Sequence, residues 1–410
     1  MPIIKNVSGR EIRDSRNKPT IEATVEFDNG ISGTASVPSG ASTGKYEALE
    51  LRDGDGKGVS KAVANVNTII AQAITGKEFN QKELDEALTV LDGTTNKNKL
   101  GANAILSASL AFARASAESE KQLLYEYFGG LCGNNSFKMP IPMVNILNGG
   151  RHAQNSTDFQ EFMIVPIGAA TFKKAMECSK KTMNALKIIL EDKGLSTKFG
   201  DEGGFAPELP ANEIATQMLV EAIKKASFSE KEIAIAIDVA ASELKNDGGY
   251  QLARENRTLT KNELMALYES WTSRYPIISI EDPFAEDEWD AFQELTQKIG
   301  DKVQVVGDDL FATNKKRLEE GIRKKAANAI IIKPNQAGTV SETIETAMLA
   351  KKSGYKLVVS HRSGETMDSA VADLAVGLGA KWVKFGAPTQ KERMAKYDRL
   401  LQIETGLKQG

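Results

Sequence analysis

The feature that most constrains this chain is a run of short apolar segments, each closed by a charged residue. The segments read IAIAI (233–237), IISI (277–280), VQVV (303–306), AIII (329–332), KLVV (356–359) and KWV (381–383). The residues that close them are Asp238, Glu281-Asp282, Asp308-Asp309, Lys333, His361-Arg362 and Lys384. Helical patterns follow, for example at 339–353 and 389–404. Alternating β and α segments imply a parallel sheet. Apolar runs without polar alternation imply strands covered on both faces. After a first step of 43 residues, the closing charges recur every 23–28 residues, one βα unit at a time. A charge just past the C-terminal end of each strand is the layout of a barrel active site. An open α/β sheet gathers its ligands near one switch point instead, so six consecutive charged ends favour a closed ring. Any one of these charges reads more readily as a solvated loop residue. Six in order, with acids first and bases after, do not.

The chain has 410 residues, more than the roughly 250 of a single barrel, so a second domain is expected. The N-terminal part reads as α+β. TIEATVEF (20–27) alternates with a period of two, Asp28-Asn29-Gly30 offers a hairpin turn, and ISGTASV (31–37) returns. Helical patterns follow at 58–75, 80–92 and 102–128, with Asn80 as an N-cap and Gly93 and Gly129 as stops. The Gly, Asn and Pro of 129–142 mark a boundary. The expected domains are 1–130, with a lid loop near 38–45, and 139–410.

The formal net charge of −3 and the lack of a basic half argue against a nucleic-acid partner. An anionic substrate then needs local cations. Cys132 and Cys178 fall outside metal-like spacing and suit a reducing compartment. The first residues carry charge and no apolar h-region, and no apolar run approaches the ~20 residues of a membrane helix. A cytoplasmic protein is expected.

Asp238, Glu281 and Asp308 lie on consecutive strands. Converging carboxylates repel unless a cation neutralises them. With only hard oxygen donors, that cation is Mg²⁺ keeping some waters; a salt-bridge network with Lys or Arg is the alternative that spacing leaves open. Lys333 and Lys384 lie opposite. A lysine beside another lysine and a divalent ion should have a depressed pKa and serve as a base. A metal with a lysine base suits removal of a proton α to a carboxylate. Both histidines of the chain, His152 and His361, fall in polar, glycine-rich strings. Arg362 beside Ser363 suits a phosphate. GDEGG (200–204) reads as a surface turn, or as a loop holding an acid over the site. GASTGK (40–45) imitates a P-loop, but only three residues separate Gly40 from Gly44 and Tyr46 follows Lys45, against the motif's spacing. A mobile lid is the better reading.

Nine strings, in order, closely resemble enolases over nearly the whole length: SGASTG (39–44), NGGRHA (148–153), QEFMIVP (160–166), GDEGGFAP (200–207), SIEDPF (279–284), GDDL (307–310), KPNQAGT (333–339), SHRSGET (360–366) and KFGAP (384–388). The resemblance implies a small N-terminal α+β domain and a modified (β/α)8 barrel whose first strands form a hairpin. It implies a carbon–oxygen lyase of glycolysis and gluconeogenesis that dehydrates 2-phosphoglycerate, works as a homodimer or higher oligomer, and uses two Mg²⁺ per site. The pairing of metal with a lysine base is already general to that superfamily.

By resemblance, Asp238, Glu281 and Asp308 hold the tighter Mg²⁺, and Ser42 in the lid helps bind the second. Lys333 takes the C2 proton, Glu202 protonates the departing hydroxyl, and Lys384 neutralises the substrate carboxylate. Arg362 and Ser363 hold the phosphate; His361 lies near the substrate; His152 and Glu161 support loop closure and the acid. Racemases and cycloisomerases of the superfamily lack the SGASTG lid and the GDEGG acid. A binding protein on a lapsed scaffold should have lost catalytic residues, and every one expected is present. Phe385, Met367 and Arg151 depart from the family pattern. They bear on the phosphate end and on oligomer contacts, not on the reaction class.

Overall fold

A computed structural model describes residues 2–40, 44–54 and 56–408. The N-terminal part is an antiparallel sheet in the order β1 (Ile4–Arg13), β2 (Pro19–Phe27), β3 (Ser32–Ser36). The β2–β3 turn falls on Asp28-Asn29-Gly30 as read, with Gly30 at φ +83° and the Phe27 amide donating to the Ile31 carbonyl at 2.8 Å. Ala102–Ser119 packs across this sheet and is buried almost all round. Asn80 caps the helix Gln81–Asp92 through a capping box, and Gly93 ends it in the left-handed conformation.

The helix expected over 102–128 is two helices, Ala102–Ser119 and Leu124–Cys132. The break falls at Lys121, which takes φ +58°. Gly129 therefore stops nothing; Gly133 at φ +71° closes the second helix. Gly129 answers to packing instead. A β-carbon there would lie 2.6 Å from the Phe137 ring and 2.7 Å from the Asn134 carbonyl oxygen.

The barrel begins with β4 (Ile141–Asn148), β5 (Glu161–Val165) and β6 (Ala234–Asp238). A side sheet of β7 (Lys245–Asn246), β8 (Gly249–Leu252) and β9 (Arg257–Leu259) follows, with the helix Lys261–Arg274. This insertion accounts for the long first step of 43 residues between strand ends. Then come β10 (Ile277–Glu281), β11 (Gln304–Gly307), β12 (Ala329–Ile332), β13 (Lys356–Ser360) and β14 (Trp382–Lys384). The ring closes in the order β4-β5-β6-β10-β11-β12-β13-β14. Neighbours are parallel except β5, which is antiparallel to β4 and β6, so the barrel opens with a hairpin. No helix among the described residues is long and apolar enough to cross a membrane.

Strand side chains alternate faces with a period of two. Met143, Met163, Ala236, Val306, Ile331, Val358 and Trp382 fill the barrel interior. Two residues further towards the mouth lie Asn145, Glu161, Asp238, Asp308, Lys333, Ser360 and Lys384. The apolar floor and the polar layer above it are thus one pattern, and the fold aims these groups inward together. Because β5 runs backwards, its first residue rather than its last reaches the mouth; Glu161 pairs in register with Asp238.

The two parts join through buried polar contacts. Asp85 accepts the Ser341 amide at 2.8 Å, at the start of the barrel helix Val340–Lys352, and Gln81 donates to both Asp85 and Ser109. Burial raises the Asp85 pKa to about 6, against the pull of those hydrogen bonds. From about pH 4 to 6 the folded chain therefore holds a proton that the unfolded chain has lost, so this group's contribution to stability falls as pH rises. Asp85→Asn removes that dependence. The variant's stability relative to wild type should improve between pH 4 and 7 by on the order of 2–3 kcal/mol, read from urea midpoints. A difference that does not change with pH contradicts this.

Candidate active site

Charged side chains converge at the mouth, nearly all of them buried. Lys384 Nζ stands 2.8 Å from Asp238 Oδ2, 2.8 Å from Glu281 Oε2 and 3.3 Å from Glu161 Oε2. Lys333 Nζ pairs with Asp308, whose other oxygen accepts Gln336 Nε2 at 2.9 Å. Of the three acids read from consecutive strands, Asp238 and Glu281 meet at Lys384 and Asp308 pairs with Lys333, so lysine ammonium groups face all three. With the acids facing the lysines directly, both lysines are raised rather than depressed. Burial pulls Lys333 down, but the carboxylate of Asp308 outweighs it and holds the group above its ordinary value. Lys384 is raised in the same way by Asp238, Glu161 and Glu281. A depressed lysine would need the acids' charge to be taken up by something else.

A hard divalent cation fits that need. The donors are all oxygen. Glu281 Oε1 and Gln160 Oε1 are buried with no hydrogen-bond partner. Burial, and then the charge of Asp238, push Glu281 up to about 8, so two lysines do not supply all the positive charge this cluster calls for. Asp282, at φ +40°, acts differently. Its two oxygens accept the amides of Asp308 (2.9 Å) and Asp309 (2.8 Å) and fix the turn that carries Asp308. Ser42 lies outside the described residues. The loop that bears it is pinned on one side, where Ser39 and Gly364 exchange amide–carbonyl hydrogen bonds at 2.9 Å.

Glu202 stands beside β4. Its loop is held by Asn148, whose Oδ1 accepts the Gly204 amide at 2.9 Å, and by amide–carbonyl bonds of Phe205 to Ile146 and Asn148. Glu202 Oε2 faces His361 Nε2 at 3.2 Å and accepts Asn145 Nδ2 at 3.4 Å. His152 lies between Glu202 Oε1 (3.7 Å) and Glu161 Oε1 (3.5 Å), with Ser363 Oγ 3.3 Å from its Nε2. Burial lowers both histidines, His361 to about 4. Burial, and then the charge of Glu202, raise Glu161 well above the carboxylate range. Glu202 is lowered despite its burial, by the histidines and Arg393.

Arg362 is buried at the rim. Its Nη1 donates to Glu47 Oε2 (2.7 Å) and Asn335 Oδ1 (3.1 Å), and its Nη2 to Glu47 Oε1 (3.3 Å). Glu47 also accepts the Gly44 amide at 2.9 Å, so a carboxylate beside the lid faces the fork assigned to a phosphate. Asn145, Gln160, Asp282, Gln336, Glu47 and Arg393 were not singled out as site residues. Asn145 could have been found from its place two residues after Met143 on an inward face. Arg393 offers no such signal.

The three departures from the family pattern are also placed. Phe385 is buried with its ring 5.9 Å from that of Tyr397, in the outer core. Met367 is exposed, and Arg151 pairs with Glu243 at 2.5 Å.

Comparison with protein-family models matches residues 4–128 to "Enolase, N-terminal domain" and residues 136–410 to "Enolase, C-terminal TIM barrel domain". Together they span nearly the whole chain.

Lys384→Met would leave Asp238, Glu281 and Glu161 buried around no cation. In divalent-free buffer the unfolding free energy should drop by about 3–5 kcal/mol. Millimolar Mg²⁺ should restore much of that loss. A urea midpoint unchanged by the substitution contradicts the role given to Lys384.

Proposed function

This chain belongs to the enolase family, and we propose that it interconverts 2-phospho-D-glycerate and phosphoenolpyruvate by reversible loss of water. The observation that carries this reading is that Lys333, Lys384 and Glu202 line one buried chamber together with Arg362 and Ser363. A base and an acid in one chamber suit removal of a proton from one carbon and of hydroxide from the next.

In this reading Lys333 takes the C2 proton, for which its ammonium must first lose a proton and its hold on Asp308. Lys384 lies against the substrate carboxylate, where negative charge grows as the proton leaves. Glu202 protonates the C3 hydroxyl as it departs. To act as the acid it must carry a proton when the hydroxyl leaves. Glu161 and His152, which lies between the two acids, are placed to pass it one. His361 donates to Glu202 and keeps its carboxylate in place. Arg362 and Ser363 bind the phosphate, which replaces the Glu47 carboxylate on the Arg362 fork.

Asp238, Glu281 and Asp308 would hold one Mg²⁺, and Ser42 would contribute to a second. When bound, the ions supply positive charge that offsets the charge growing on the substrate carboxylate. The setting this reading implies is a cytoplasmic homodimer serving glycolysis and gluconeogenesis.

The test separates the two half-reactions. In D₂O, exchange of the C2 proton is followed by NMR alongside dehydration. Lys333→Ala should lose both, by at least about 10²–10⁴-fold. Glu202→Gln should keep exchange and lose dehydration to a similar degree. Normal dehydration by Glu202→Gln, or exchange by Lys333→Ala at the wild-type rate, contradicts the assignment.

A further inference from the structure

Arg393 belongs to the last helix, Lys391–Leu407, and is fully buried. Its Nη1 donates to His361 Nδ1 at 2.6 Å and to the Arg362 carbonyl at 3.3 Å. Its Nη2 donates to the carbonyls of Asp201 and Ser363, both at 2.8 Å, and its Nε to Gln390 Oε1 at 2.9 Å. None of these acceptors is a carboxylate. Among the described residues Arg393 forms no ion pair, although buried charges are usually paired. The nearest acid along its bonds is Glu202, one imidazole away.

A guanidinium only donates. His361 Nδ1 must therefore accept, and the ring's proton sits on Nε2, 3.2 Å from Glu202 Oε2. The packing is built around this contact. Gly386 sits at φ +76°, and a β-carbon there would lie 2.6 Å from Arg393 Cδ and 2.7 Å from His361 Cε1. The same guanidinium ties the backbone of the acid loop, at Asp201, to that of the 361–363 turn.

We propose that Arg393 is a positioning residue. It locks His361 as the Nε2–H tautomer, so that the ring offers a donor to Glu202, and it holds the acid loop and the anion-binding turn in one register. This rests on the reading of Glu202 as the acid. With the tautomer reversed, a ring lone pair would face the carboxylate and the acid would lose its fixed direction. In the Ser-His-Asp triad, a wrong tautomer alone costs a large factor in rate.

The chain has two histidines, so a ¹⁵N-histidine spectrum holds two imidazoles, and His152→Gln assigns them. In the wild type at neutral pH, His361 should show a protonated Nε2 and an unprotonated Nδ1. In Arg393→Met the tautomers should mix or reverse, and kcat should fall roughly 10- to 100-fold with KM changed by less than about threefold. Arg393→Lys, which returns a donor, should recover part of both. A wild-type His361 protonated on Nδ1 overturns the proposal even if Arg393→Met fails to fold. So does Arg393→Met with the wild-type tautomer and kcat. The two readings fail separately: a wild type that does not dehydrate 2-phosphoglycerate contradicts the reaction, whereas an unchanged tautomer in Arg393→Met contradicts the positioning role whatever the reaction.

Discussion

The structure at the barrel mouth depends on the neutralisation of buried carboxylates. Asp238, Glu281 and Glu161 surround a single ammonium, that of Lys384, and Asp308 is held by Lys333. Removing ions from water costs several kcal/mol each, and only close opposite charge repays it. The lysines thus let the acids be buried, and the acids keep the lysines charged. That balance ties up the groups chemistry would use. A divalent cation would relieve the acids and free the amines, which links the stability of the site to its proposed activity.

The fold delivers these groups by simple geometry. An inward apolar residue fixes the face, and two residues later the same face reaches the mouth. Reversing one strand, β5, does not break the rule, because its first residue then serves where a last residue otherwise would. The loops complete the chamber. Glu202 arrives on a segment bonded to β4, and His361 follows β13 and meets it. Arg393, from the last helix, binds the backbones of both segments. The chamber is therefore set by contacts between elements far apart in the chain.

Much of this was legible in the sequence. The last six barrel strands showed as apolar runs, and their closing charges gave Asp238, Glu281, Asp308, Lys333, His361 and Lys384. The first two strands did not show. Ile141–Asn148 carries Pro142, Asn145 and Asn148, so it blended into the Gly/Pro-rich linker, and its hairpin with Glu161–Val165 followed only from family resemblance, because a buried strand looks alike in either direction. β1 was missed because only Ile4 and Val7 are buried in it, which leaves no alternation to read. The helix break at Lys121 depends on one residue's backbone, and Gly129 imitated a stop while serving close packing. The lysine–carboxylate contacts run between strands, so sequence spacing does not show them. Arg393 is one of several charged residues in the last helix, and only its tertiary contacts set it apart.

The most direct measurement is ultraviolet absorbance of the protein with 2-phosphoglycerate, first with Mg²⁺ and then with excess EDTA. The account predicts a rise from the conjugated enol product that EDTA abolishes. No rise with folded, Mg²⁺-loaded protein, or a rise that EDTA leaves unchanged, would contradict it.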